Sequence, residues 1–186
     1  RGEIVGYLGP NGAGKTTTIK ILTSLVKPTS GTAFVNGFDV KREPMEALKH
    51  LGALIEVPGM YDYLTPDEML RYFGRVCKME RSLLEKRIDE VLDRVSLRDW
   101  KRKRVGGFST GMLRRLAIAK AMLHEPEVLI LDEPVLGLDP QGIRDIRELI
   151  GELSRGGMTI FLSSHLLSEV SATCNRAIFI DDGRIL

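Results

Sequence analysis

The sequence predicts an α/β fold with a mainly parallel sheet, a small antiparallel β layer and an inserted helical subdomain. Short apolar runs at Ile4 to Leu8, Leu51 to Ile55, Val128 to Leu131 and Thr159 to Leu162 alternate with helical patterns. Runs of that density suit strands buried on both faces. Asn36-Gly37, between two β-prone segments, is a strong hairpin signal. Residues 66 to 104 carry two helical patterns that no strand signal interrupts. A length of 186 residues suits a single domain, with residues 1–64 and 123–186 as an α/β core and 65–122 as the helical subdomain. The chain opens on Arg1-Gly2-Glu3 almost at a strand and stops inside another, Arg184-Ile185-Leu186, so it reads as a fragment truncated at both ends.

After the first strand, Gly9-Pro10-Asn11-Gly12-Ala13-Gly14-Lys15-Thr16-Thr17 fits G-x-x-x-x-G-K-[ST] in full. This resembles the phosphate-binding loop of the P-loop NTPases. A triphosphate must be surrounded closely by backbone N–H groups, and side chains at Gly12 or Gly14 would hinder that approach. Lys15 then reaches the β- and γ-phosphates, the Thr16 hydroxyl ligates Mg²⁺, and Thr17 adds a hydroxyl contact. The helix that begins near Lys15 points its positive end at the anion. A ligand-free glycine-rich turn is the structural alternative, and it leaves Gly-Lys-Thr-Thr directly after an apolar strand without a reason.

Ile19, Ile21, Leu22, Leu25 and Val26 predict a helix with one apolar face, ended by Pro28. Thr32 to Val35 and Phe38 to Val40 flank the Asn-Gly turn, a short helix follows from Pro44 to His50, and the strand Leu51 to Ile55 ends at Glu56. Val57-Pro58-Gly59 opens a loop that runs to Leu64. Thr65-Pro66-Asp67-Glu68 is a capping box with proline at the first helical position. Leu84, Ile88, Val91, Leu92 and Val95 form one face of the next helix. The run Arg98 to Arg104 holds five basic residues, Asp99 and Trp100; it is either a solvated helix end or a contact for nucleic acid or acidic lipid, and the solvated end is the commoner case.

Ser109 in Phe108-Ser109-Thr110-Gly111-Met112 is a natural N-cap for the helix that follows. The buried run Val128 to Leu131 leads straight into Asp132-Glu133. Two carboxylates there need a cationic partner: Mg²⁺ beside a phosphate loop, or a structural ion pair. Gly137-Leu138-Asp139-Pro140 supplies a turn, an N-cap and a first-turn proline, and Gly156-Gly157 ends the helix carrying Ile143, Ile146, Leu149, Ile150 and Leu153. The strand Thr159 to Leu162 delivers Ser163-Ser164-His165 at its carboxyl end, where open α/β sheets bind ligands. Ala177 to Ile180, a turn at Asp181-Asp182-Gly183 and a last strand close the chain.

Composition narrows the function. A balance of 27 basic against 25 acidic residues leaves +2, which gives nucleic-acid binding no support. No apolar run approaches the roughly 20 residues that span a bilayer, so action at a membrane requires a partner. Cys77 and Cys174 lack metal-ligand spacing and read as reduced cytosolic thiols with no chemistry.

In content and order these stretches resemble the ATP-binding subunit of ABC transporters across essentially the whole chain. Gly9 to Thr17 matches the Walker A loop, Val128 to Pro134 the Walker B strand with its following glutamate, Leu136 to Asp139 the D-loop, and His165 the switch histidine. Two motifs depart from the usual pattern. Phe108 to Met112 stands in place of L-S-G-G-Q, keeping Ser109 and Gly111, and Glu56 takes the place of the Q-loop glutamine. That glutamate is similar to the one in bacitracin- and lantibiotic-type exporters.

The resemblance implies a Mg²⁺-dependent ATPase on the cytoplasmic face of the membrane, docked on integral membrane permease subunits and driving transport, with export favoured. It implies a head-to-tail homodimer, or a pair with a related ATPase subunit, in which Ser109 and Gly111 of one copy face the nucleotide on the loop of the other. Lys15 and the loop amides would bind phosphate, and Thr16, Asp132 and Glu56 would hold Mg²⁺. Glu133 would polarise the attacking water, His165 would contact the γ-phosphate and hold Glu133, and Asp139 would align the dimer. Val57, Met60, Tyr61, Tyr63 and Leu64 suit a docking patch for the membrane subunit, or a cover for the core. ATP rather than GTP follows from the resemblance: no N-K-x-D guanine reader is present, and no adenine-stacking aromatic is identifiable. A soluble repair or translation ATPase would carry a coiled-coil or zinc insertion or a second cassette, and a regulatory subunit would bind ATP without turning it over.

Overall fold

A computed structural model describes residues 2–55 and 60–186. It resolves into two compact units, one of residues 1–56, 126–134 and 150–186 and the other of residues 57–125 and 135–149.

The first unit is built on a six-stranded sheet. Its strands are β1 (Ile4–Leu8), β4 (Leu51–Leu54), β5 (Val128–Asp132), β6 (Thr159–Ser164), β7 (Arg176–Asp181) and β8 (Arg184–Ile185), in the order β4-β5-β6-β1-β7-β8. All neighbours pair in parallel except β8, which closes the edge as an antiparallel hairpin on β7. A separate two-stranded antiparallel piece, β2 (Phe34–Val35) with β3 (Phe38–Asp39), turns at Asn36-Gly37, both at positive φ as the tight turn requires. Ile19, Val35, Val40, Ala47, Leu51 and Ile130 form one buried cluster of this unit.

Parallel pairing decides where the chemistry goes. Leu8 stands beside Ser164 and Asp132 beside Ser163, so β1, β5 and β6 all end on the same edge of the sheet. Whatever follows each strand therefore emerges together.

The helix after the phosphate loop, α1, spans only Lys15–Leu22. Apolar spacing predicted a longer one reaching Pro28. Ser24 adopts a left-handed φ of 60° and its hydroxyl donates to the Val40 carbonyl at 2.9 Å, which turns the chain away early. Leu25 and Val26 are left exposed rather than placed on a buried face. The helix α2 (Pro44–Lys49) precedes β4 as expected. The helix α7 (Leu167–Thr173) has no clear signal in the sequence; its Val170 and the following Cys174 lie so close to β1 that a Cβ on Gly6 would come within 2.6 Å of Val170 Cγ1.

The second unit contains α3 (Pro66–Val76), α4 (Arg81–Arg94) and α5 (Thr110–Met122). It takes in the first part of α6 (Pro140–Arg155) as well. Leu84, Ile88, Val91 and Leu92 are all buried on α4, and Gly74 of α3 lets Leu84 approach to a point where a Cβ would clash at 2.2 Å. The charge run is bound into its own unit: Arg98 pairs with Asp93, Lys101 with Asp89 and Asp67, and Lys103 stands 4.1 Å over the Trp100 ring.

The capping box forms in full. Thr65 Oγ1 accepts from the Glu68 N–H, and the Glu68 carboxylate accepts from the Thr65 N–H at 2.9 Å. The backbone and side-chain bonds from Thr65 hold the Glu68 carboxyl below its ordinary 4.5. Its folded-state value is depressed, so this contribution is present above about 4.5 and is lost as pH falls through the lowered value. Thr65→Ala is expected to destabilise the unit by about 1 kcal/mol, read as a lower urea midpoint.

Candidate functional site

Gly9 to Thr17 turn out of β1 and into α1. Gly12 and Gly14 hold φ of 85° and 103°, conformations that an L side chain resists. Gly14 is the N-cap of α1 and offers no side-chain cap, so the first-turn N–H groups keep the donor capacity that an anion takes up. Gly9 is required for another reason: a Cβ there would meet the Ile180 carbonyl oxygen of β7 at 2.2 Å. Among the described residues nothing lies within 4 Å of a Cβ on Gly12, so the demand at that position is conformational.

Lys15 is buried and folds back over the loop. Its Nζ donates to the carbonyls of Gly9 at 2.7 Å and Pro10 at 3.1 Å and lies 3.6 Å from Glu133 Oε1. Thr16 Oγ1 donates to Asp132 Oδ2 at 2.9 Å. Glu133 Oε2 lies 3.0 Å from His165 Nδ1; a carboxylate only accepts, so this nitrogen carries the proton. Five side chains from three strand ends thus gather as two contacting groups, Lys15–Glu133–His165 and Thr16–Asp132. Asn11, Gly12, Gly14, Lys15, Thr16, Thr17 and Glu133 line a cavity of about 300 Å³ beside them. Ala13 is buried beneath the loop, against Tyr7 and Ile180.

No motif in the sequence gives Ser163 a role. The structure places its hydroxyl between the Asp132 carboxylate and the Glu133 backbone N–H. Glu133 itself holds a φ of 47°, which is uncommon for a residue with a side chain. Neither feature has a sequence signal, because both depend on the pairing of β5 with β6.

Ser109, Gly111 and Asp139 lie in the helical unit. Ser109 Oγ caps α5 by accepting from the Met112 N–H at 3.3 Å, and Asp139 Oδ1 accepts from the Gly142 N–H at 3.0 Å at the start of α6. Ser109 and Asp139 are exposed, and among the described residues a Cβ on Gly111 would have only Ser109 Oγ within 4 Å. Glu56 and Val57 fall outside the described residues. Tyr61 and Tyr63 are exposed and pack with Tyr72 as a small aromatic patch, whereas Met60 and Leu64 are half-buried. Cys77 and Cys174 are free thiols, and burial pushes the Cys174 thiol up to about 11, which suits the absence of an assigned role. No helix among the described residues is long and apolar enough to cross a membrane.

The arrangement suits binding a polyphosphate with a divalent cation and activating water beside it. Comparison with known proteins points the same way. A sequence profile of the family described as ABC transporter matches residues 1–136. The ATP-binding protein NatA of Bacillus subtilis is 42% identical over 187 residues, an alignment covering 100% of this chain and 76% of that protein. The bacitracin transport ATP-binding protein BcrA of Bacillus licheniformis is 46% identical over 187 residues, covering 100% of this chain; the chain spans 60% of its length. Among solved structures, an ATP-binding subunit of an ABC transporter superposes with a TM-score of 0.85 at 34% identity, covering 100% of this chain and 77% of that one.

Proposed function

The chain belongs to the ABC transporter family, and on that premise we propose that it hydrolyses Mg²⁺-ATP to drive export of a substrate through membrane-spanning partner subunits. One observation carries the reading: Lys15, Thr16, Asp132, Glu133 and His165 gather at the carboxyl edge of the sheet as two contacting groups, Lys15–Glu133–His165 and Thr16–Asp132, which the Ser163 hydroxyl bridges. The bacitracin transport relative supports export, as does a glutamate, Glu56, at the Q-loop position.

Each residue then has a task that its environment supports. Lys15, with the amides of Gly12 to Thr17, neutralises phosphate charge. Thr16 and Asp132 offer a hydroxyl and a carboxylate already within hydrogen-bond distance of each other, a hard-oxygen pair of the kind Mg²⁺ takes alongside phosphate and water. When bound, the ion neutralises charge on the phosphate oxygens. Glu133 orients the attacking water and takes its proton as the water oxygen bonds to the γ-phosphorus and the bond to the β-phosphate oxygen breaks. His165 fixes Glu133 through Nδ1 and turns its carboxylate towards that water.

Ser109 and Gly111 complete the reading in trans. They stand at the exposed N-terminus of α5, a helix end suited to a phosphate held by a second copy or a related ATPase subunit. Asp139 aligns that pairing. The protein then works at the cytoplasmic face of the membrane as a peripheral subunit. The exposed Tyr61, Tyr63 and Tyr72 patch, with the loop after Glu56, docks on the permease.

The test uses the full protein purified with its membrane subunits. ATP- and Mg²⁺-dependent phosphate release is expected, and exchanging Tyr61 and Tyr63 for glutamate is expected to lose the membrane subunit while nucleotide binding persists. Nucleotide binding without phosphate release would instead identify a regulatory subunit, and retention of the partner by the tyrosine variant would move docking elsewhere.

A further inference from the structure

We propose that Ser163 is a positioning residue for hydrolysis, its single hydroxyl fixing the Asp132 carboxylate and the Glu133 backbone in one mutual arrangement. The inference rests on the ATPase reading and extends it to a side chain outside the recognised motifs.

Ser163 is fully buried near the end of β6, directly beside Asp132 in the strand register. Its Oγ lies 2.5 Å from Asp132 Oδ1 and 2.9 Å from the Glu133 nitrogen. A hydroxyl has one proton to give. The Asp132 carboxylate can only accept and the Glu133 N–H can only donate, so the proton goes to Asp132 and a lone pair receives the N–H. The polarity of the bridge is thereby fixed.

Two consequences reach the chemistry. With Oδ1 engaged by Ser163, Asp132 presents Oδ2 to Thr16, the other residue offered to Mg²⁺. The bond to the Glu133 N–H also holds that residue at its left-handed φ of 47°, and in this conformation its two oxygens meet Lys15 and His165 separately. The neighbouring serine does not duplicate the bridge, because Ser164 Oγ accepts from the Leu166 N–H and shapes the turn around His165.

Removing the hydroxyl leaves the partly buried Glu133 N–H without its acceptor and releases the aspartate carboxylate. Nothing that grips phosphate is touched, since Lys15 bonds to Gly9, Pro10 and Glu133 and not to Ser163. The defect therefore belongs to turnover and metal dependence rather than to nucleotide affinity.

The experiment compares wild type, Glu133→Gln, Ser163→Ala and Ser163→Thr in the full protein assembled with its membrane subunits. Ser163→Ala is expected to keep ATP affinity within about twofold while kcat falls about tenfold and the half-saturating Mg²⁺ concentration rises. Ser163→Thr restores the hydroxyl and most of kcat. If Ser163→Ala fails to fold, Ser163→Cys, which keeps the volume but only a weak donor, takes its place with the same expectations. Wild-type kcat and Mg²⁺ dependence in the Ala or Cys variant, with Glu133→Gln inactive, would overturn the role of Ser163 alone. Equal loss in the Thr variant at an unchanged melting temperature would do the same. Phosphate release that is absent in wild type would overturn the ATPase reading together with this inference, and release unchanged by Glu133→Gln would remove Glu133 from the role of base and this inference with it.

Discussion

Glu133→Gln is expected to bind ATP as wild type does and to hydrolyse it about 10² to 10⁴-fold more slowly, the range that removal of a positioned general base produces. The substitution keeps the length and shape of the side chain, so the left-handed backbone at φ 47° and its bond to Ser163 stay in place. The amide oxygen can still accept from His165 Nδ1, which in the native chain lies 3.0 Å from Oε2. What is lost is a basic oxygen that takes the proton of the attacking water. Binding is held by Lys15 and the loop amides and is spared. In the proposed pairing of two copies across the nucleotide, ATP that binds and does not turn over keeps both copies engaged, so the variant is also expected to accumulate as an ATP-bound dimer. Equilibrium binding, steady-state phosphate release and size-exclusion chromatography with ATP check the three parts. Hydrolysis at the wild-type rate would remove Glu133 from the role of base.

The parts of this molecule legible in the sequence are those set by local chemistry. The Asn36-Gly37 turn, the Thr65 to Glu68 cap and the glycines of the phosphate loop each require a residue type at a fixed offset, and each forms in the structure. Four apolar runs became parallel strands because only a sheet covered on both faces buries such segments. The features that were not legible depend on residues distant in the chain. The early end of α1 follows from a bond between Ser24 and Val40, which overrides an apolar spacing that would carry the helix further. The reason for Gly9 is the carbonyl of Ile180 in β7, and the reason for Gly6 is the approach of Val170 from α7. Ser163 reads only as a residue just past the strand Thr159 to Leu162, until the β5–β6 register sets it beside Asp132, 31 positions away. A motif names the residues that touch a ligand, whereas the groups that hold those residues emerge only from strand pairing.

Lys15→Met is expected to weaken ATP binding about a hundredfold or more and to abolish measurable turnover, because it alters three interactions at once. In the proposed site the ammonium is the cation that the loop brings to the phosphates, and charge-assisted bonds of this kind are roughly twice as strong as neutral ones. Without it, Glu133 Oε1 loses the cation 3.6 Å away and stands as an unbalanced negative charge beside the cavity that would receive a polyanion. The carbonyls of Gly9 and Pro10 lose the donor that ties the loop together, so the backbone amides are less well organised before ligand arrives. Lys15→Arg is expected to fail nearly as badly. The site buries the side chain to 7% exposure around a compact ammonium, and a planar guanidinium with five donors matches neither the space nor the two carbonyl acceptors. Comparing the two variants by nucleotide titration separates charge from shape: if Arg restored affinity, charge alone would suffice, and the loop carbonyls would lose their part in setting the position of that charge.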